Sequence, residues 1–171
     1  MNDKPATAVD ADPHRPLKNA LGRFATGVAV VAARDPATGA LAAITVNSFN
    51  SVSLDPPLVL WSIESKASTF DAFMAAAHYG VSVLRADQEA ASNLFTRAAA
   101  GPENADAFDA LAPGGAPVLK TRLAGFDCEV VDRRAAGDHV ILLGRVRAFD
   151  ARAGAPLLYF ASGYAVGPHV D

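Results

Sequence analysis

The segment Ser62-Ile63-Glu64-Ser65-Lys66-Ala67-Ser68-Thr69 gathers hydroxyls and one ammonium where an apolar stretch gives way to the helical spacing of Phe70, Phe73 and Met74. Exposed backbone amides and the positive end of a helix dipole favour an anion there. Ser65, Lys66, Ser68 and Thr69 could then add charge-assisted hydrogen bonds to a phosphate. An ordinary reading competes with this one: Ser68 with Asp71 fits a helix-capping box, and loops before helices are often rich in Ser and Thr.

A second polar interruption is Thr45-Val46-Asn47-Ser48-Phe49-Asn50-Ser51, set in an otherwise apolar, β-branched stretch. Buried polar groups need partners. Asn47 carries a donor and an acceptor, as does a heterocycle with carbonyl and imine edges, so a flat ring lying along this strand would satisfy the cluster. An edge strand facing water would explain the same residues. His139 follows Gly137-Asp138, where a histidine beside a turn could reach a cleft as an acid, base or positioning donor; it could equally be a plain turn residue. Cys128 alternates with Phe126 and Val130 and reads as core, and no neighbouring base marks it as a nucleophile. Tyr159, Phe160 and Tyr164 read as core or interface aromatics.

Several elements must position these residues. Leu17, Ala20, Leu21 and Phe24 share one helical face, predicting a short amphipathic helix that ends near Thr26-Gly27. Val28 to Arg34 reads as a buried strand. It is followed by a turn at 35–39 and one long extended stretch from Ala40 to Leu54, the two pairing as a hairpin. Asp55-Pro56-Pro57 interrupts the ladder, and Leu58 to Ile63 resumes it. A helix carrying Phe70, Phe73, Met74 and Ala77 follows, then a strand from Tyr79 to Leu84 and a helix from Gln88 to Ala98. Residues 99–115, rich in Ala, Gly, Pro and Asp, read as a surface excursion with a helical turn around Ala107 to Leu111. Leu123 to Arg133 and Asp138 to Phe149 form a second hairpin, and Pro156 to Phe160 is a final strand.

Strands in hairpins with two or three helices predict a mainly β, antiparallel barrel or sandwich with peripheral helices rather than alternating βαβ units. GxGxxG, GxxxxGK[ST] and GxSxG are all absent, which removes the usual dinucleotide, P-loop and hydrolase-elbow signatures. The chain has 171 residues, 51% of them hydrophobic and 19% charged, with 13 Gly and 11 Pro; that is a single folded domain. A net charge of -3 disfavours nucleic acid as a partner. One cysteine and four histidines complete no metal-binding spacing and no disulfide, as expected in the cytoplasm. Residues 1–16 are polar and read as a disordered tail before a domain at 17–171. No run is long and apolar enough to span a membrane.

Taken in order, Phe24-Ala25-Thr26-Gly27-Val28, Thr45-Val46-Asn47-Ser48-Phe49, Ser53-Leu54-Asp55-Pro56-Pro57-Leu58-Val59, Gly137-Asp138-His139 with Gly144-Arg145-Val146, and Pro156-Leu157-Leu158-Tyr159 resemble the flavin reductase-like family. These are small NAD(P)H:flavin oxidoreductases that serve two-component monooxygenases. The resemblance spans residues 17–164. It implies an antiparallel Greek-key split β-barrel that binds FMN, with FAD as the alternative flavin, and that forms a homodimer.

By this resemblance Thr45, Val46, Asn47 and Ser48 lie beside the isoalloxazine, and Ser62, Ile63, Ser65, Lys66, Ser68 and Thr69 surround the ribityl and phosphate groups. Phe95 closes over the phosphate end, with Arg97 nearby, and His139 contacts the nicotinamide of NADH or NADPH. The implied reaction is hydride transfer to flavin N5, with the reduced flavin passed to a partner monooxygenase. The alternatives are a flavoprotein acting on its own small substrate and a non-catalytic flavin-binding module. Where the family commonly has glycine two positions before the Thr of TVNS, this chain has Ala43, whose methyl is expected to crowd a ligand near the backbone.

Overall fold

The computed structural model describes residues 12–97 and 102–171. Most of the expected tail, residues 1–11, lies outside them, as does Ala98 at the end of the third expected helix. Helix α1 (Arg15–Leu21) begins inside the segment read as tail and ends before Thr26. None of its residues is buried: Leu17 and Leu21 are 59% and 65% exposed, and Phe24 just beyond it is 75% exposed. Its apolar face thus forms as the spacing predicts but is left exposed by the described residues.

Seven strands build one antiparallel sheet in the order β3 (Leu41–Val46), β2 (Ala29–Arg34), β6 (His78–Val83), β9 (Ala124–Ala136), β10 (His139–Ala151), β5 (Pro57–Glu64), β4 (Asn50–Leu54). A smaller sheet joins β1 (Thr26–Gly27), β11 (Leu157–Phe160) and β12 (Gly163–Val166). Helix α2 (Phe70–Ala75) follows β5 and α3 (Glu89–Arg97) follows β6.

The long stretch expected from Ala40 to Leu54 is two strands, and they occupy opposite edges of the sheet. Because only residues 47–49 join them, four Cα links of about 3.8 Å hold the two edges within roughly 15 Å of each other. The sheet must therefore curl almost into a barrel, yet β3 and β4 never pair and it stays unclosed. Asn47, Ser48 and Phe49 span the split.

Strand β2 is buried on both faces, which is why it reads as a continuous apolar run rather than an alternating one. Val31 belongs to a cluster with Trp61, Phe73, Tyr79, Leu142 and Cys128, in which the Trp61 and Phe73 rings meet edge-on at 4.9 Å. Burial, reinforced by Asp127, pushes the Cys128 thiol up to about 12, so it stays protonated core as the alternation predicts. Val30 belongs to a second cluster with Val28, Leu84, Leu157, Phe95 and Phe108 on the other face.

The segment read as a loose excursion is partly structured. A 3-10 helix (Pro102–Ala107) leads into β7 (Phe108–Ala110), which pairs with β8 (Pro117–Leu119) and buries Phe108. Gly80 makes this docking possible, because a Cβ there would strike the Pro117 carbonyl. Arg122, 3% exposed, ties the region together. Its Nε and Nη2 donate to both Asp150 oxygens at 2.9 and 2.6 Å, and Nη1 donates to Asp109 at 3.1 Å and to the Leu119 carbonyl. The bidentate guanidinium holds the Asp150 carboxyl below the usual aspartate range.

Candidate functional site

The antiparallel register of β4 on β5 pairs Asn50 with Leu60, so continuing it would set residue 48 opposite residue 62. The β4 backbone ends before that point and the Ser48 side chain takes over. Its hydroxyl donates to the Ser62 carbonyl at 3.1 Å and accepts the Ser62 amide at 3.0 Å. Ser48 is thereby committed to protein backbone rather than offered to a ring edge, and it brings the two polar segments picked out in the sequence side by side.

The other face of β5 pairs with β10, setting Glu64 opposite His139, while the Ser65 amide donates to the Asp138 carbonyl at 2.9 Å. Gly137, at φ +66°, makes the tight turn from β9 into β10 that puts Asp138 and His139 at this end. Three of the sequence-predicted segments thus converge on one rim at the split: Asn47-Ser48, Ser62 to Thr69, and His139.

Along the rim, Ser65, Lys66 and Ser68 are exposed. Thr69, not Ser68, caps α2 and makes no capping bond through its side chain, so the expected capping box does not form. The Thr69 hydroxyl is buried, with no hydrogen-bond partner among the described residues. Helix α2 has only six residues, too short for a strong macrodipole, so any anion attraction here comes from Lys66 and the hydroxyls.

Two clefts open beside the Asn47-Ser48 end of the rim, and neither is lined by Ser62 to Thr69 or by His139. The first, about 750 Å³, runs between Asn47-Ser48-Phe49 and the α1 side, where Lys18, Phe24 and Thr26 line it. The second, about 410 Å³, lies between β3, α3 and Tyr164. Asn47, exposed at the end of β3, Tyr159 and Ser162 border both. Thr45, beside the second cleft, donates its hydroxyl to the Ser92 carbonyl at 2.7 Å, and the Ser92 and Tyr164 hydroxyls meet at 2.8 Å. Sequence reasoning missed Thr26, Ser92 and Ser162. Thr26 holds a second buried hydroxyl without a partner, and Ala161 and Ser162 form a turn at φ 49° and 65°, conformations uncommon for residues with side chains.

Some expected residues stand elsewhere. Phe95 is 3% exposed and packs edge-on against Phe108 in the second cluster, so its ring is core rather than cleft wall. The side chains of Val46 and Ile63, 9% and 1% exposed, also point into core, which leaves only their backbones for a ligand. Ala43 is 1% exposed within the second cluster, so its methyl fills core instead of crowding the rim. Strand β3 is an edge strand, as the alternative reading of the TVNS segment expects, but within that segment only Asn47 is exposed.

The residues present fit a flavin phosphate. The Thr69 hydroxyl, without a partner among the described residues, the exposed Lys66 ammonium and a row of exposed hydroxyls suit a phosphoryl group, and the amide of Asn47 beside a broad cleft suits a polar ring edge.

Comparison with known proteins points the same way. Residues 21–168 match the flavin reductase like domain. The chain is 46% identical over 157 residues to the FMN reductase (NADH) SmoA of Agrobacterium fabrum, covering 90% of this chain and 84% of that protein. It superimposes on the styrene monooxygenase flavin reductase from Pseudomonas putida with TM-score 0.79 and 36% identity, covering 89% of this chain and 97% of that one. For BorF, the flavin reductase component of a bacterial two-component tryptophan halogenase, the TM-score is 0.82 at 34% identity, with 90% of this chain and 98% of that one covered.

Proposed function

The chain belongs to the flavin reductase-like family, and on that footing we propose that it is an NADH-dependent flavin reductase that uses FMN and delivers reduced flavin to a separate monooxygenase. The observation that carries the reading is the Ser48 to Ser62 contact, which joins a ring-sized cleft to a phosphate-suited rim. In this reading Lys66, Ser65, Ser68 and Thr69 hold the phosphate, Ser62 flanks the ribityl chain, and Asn47 with the backbone of Thr45 to Ser48 meets the polar edge of the ring.

Bound flavin supplies the hydride-accepting centre. The protein's own share is to bind, orient and exclude water. Rigid placement of two planar partners accounts for much of such a rate enhancement, because the entropy of bringing them together is lost at binding rather than in the transition state. Asn47 and backbone N–H groups offer donors where negative charge develops. His139, 42% exposed at its side chain and set at the same rim, positions the nicotinamide.

The exposed Leu17, Leu21 and Phe24 face, of which Leu21 and Phe24 line the first cleft, supports a homodimer in which a second copy covers it. The expected sedimentation behaviour at micromolar concentration is that of a dimer; Leu21→Glu shifts it toward monomer, and a wild-type monomer rules the dimer out.

The direct test adds NADH and free FMN in air to a catalytic amount of protein. Sustained loss of nicotinamide absorbance supports the reductase reading, whereas a single slow bleaching favours a flavoprotein with its own substrate. No reduction, with flavin fluorescence still quenched, leaves a binding module.

A further inference from the structure

His139 needs a defined tautomer if one ring nitrogen is to meet a ligand, and the structure contains a device that sets it. The Asp138 Oδ1 and His139 Nδ1 atoms lie 2.7 Å apart. Asp138 follows the Gly137 turn and its backbone carbonyl is pinned to β5 by the Ser65 amide at 2.9 Å, while its side chain is 84% exposed. Neither restraint depends on the Asp138 side chain, so that side chain is available for another task.

The hydrogen bond to His139 is the main cause that holds the Asp138 carboxyl below the usual aspartate range. Asp138 is therefore ionised at neutral pH and can only accept, so the bridging hydrogen belongs to Nδ1. In the neutral ring Nε2 is then left with a lone pair. Other charged groups near this end are Glu64, opposite in the ladder, Lys66, and His14 on the α1 side; among the described residues none of them hydrogen-bonds the ring.

We propose that Asp138 is a positioning residue, holding His139 in the Nδ1–H form so that Nε2 accepts a hydrogen bond from the carboxamide N–H of the dinucleotide. This rests on the reading that His139 meets the nicotinamide. The carboxamide is the chemically matched partner, because it brings an uncharged N–H donor on a planar ring.

The test compares the full-length wild type with Asp138→Ala, Asp138→Asn and His139→Ala. NADH kinetics are measured at saturating FMN, alongside FMN affinity and the histidine tautomer by nitrogen-15 NMR. Asp138→Ala is expected to raise KM for NADH about fivefold, the scale of one hydrogen bond between neutral groups, with kcat and FMN affinity within twofold of wild type. In the spectrum the His139 ring moves to the Nε2–H form. Asp138→Asn keeps an oxygen that accepts from Nδ1 and restores both values. The inference is overturned by an unchanged tautomer in Asp138→Ala, by an unchanged KM in that variant while His139→Ala is impaired, or by an Asn variant no better than Ala. If His139→Ala itself leaves KM for NADH unaltered, the nicotinamide role of His139 fails instead.

Discussion

The two ends of strand β10 handle polarity in opposite ways. Near its C-terminal end Asp150 and Arg122 are locked in a knot where the buried guanidinium reaches two carboxylates and a carbonyl. At its start, some eleven residues and roughly 35 Å of extended chain away, His139 faces a rim of exposed Ser65, Lys66 and Ser68 with the Thr69 hydroxyl buried and unmatched. A saturated network has nothing left to offer a ligand and serves architecture. An unsaturated one costs stability and leaves groups free to take up a ligand.

The sharpest way to break this contrast is Arg122→Ala. It removes the partner of Asp109, leaves Asp150 with Arg152 alone and empties a buried site, so unfolding free energy is expected to fall by about 3 kcal/mol. Thermal denaturation checks this, together with an unchanged FMN affinity for the protein that remains folded. A large loss of FMN affinity would show that the two ends are not independent. The knot should also be acid-sensitive in a definite direction. Because Asp150 titrates lower when folded, its contribution is full above the ordinary aspartate value of 3.8 and is lost as pH falls through its own depressed value. Urea unfolding of wild type and Asp150→Asn should accordingly differ most near neutrality and converge in acid.

At the rim the expected effects are smaller and fall on binding. Lys66→Ala, an exposed truncation, should weaken FMN about tenfold with little change in melting temperature, as read by fluorescence titration. Ser48→Ala removes both bonds to Ser62 and is expected to cost about 1 kcal/mol in stability and to loosen the join between cleft and rim. The finest test is Thr69→Val. Replacing an unmatched hydroxyl by a methyl of the same shape should leave the ligand-free protein as stable or slightly more so, by about 0.5 kcal/mol, while lowering FMN affinity a few-fold. A strongly destabilised Val variant would mean that the hydroxyl already has a partner.

Much of the rim was legible because it breaks local rules. Amide and hydroxyl groups interrupt the apolar stretch at Asn47-Ser48, and hydroxyls crowd around Lys66 without serving as a helix cap. What stayed hidden is long-range. No glycine or proline marks a turn between Val46 and Asn50, so nothing local reveals that the chain leaves one edge of the sheet and arrives at the other. Phe95 sits on a helical face whose partner, Phe108, belongs to a segment whose composition suggests loop. Ser162 and Thr26 gain their place beside the clefts only through tertiary contacts, and the bare face of α1 reads from spacing like any helix that packs on its own core.

Trp61 is the sole tryptophan and is fully enclosed between Phe73 and Tyr79. The molecule therefore carries a built-in optical gauge: its indole emission reports one defined spot in the interior, shifting to the red when that interior opens. A yellow chromophore seated at the rim would drain the same emission by energy transfer, so occupancy and integrity can be followed from one native signal without any label.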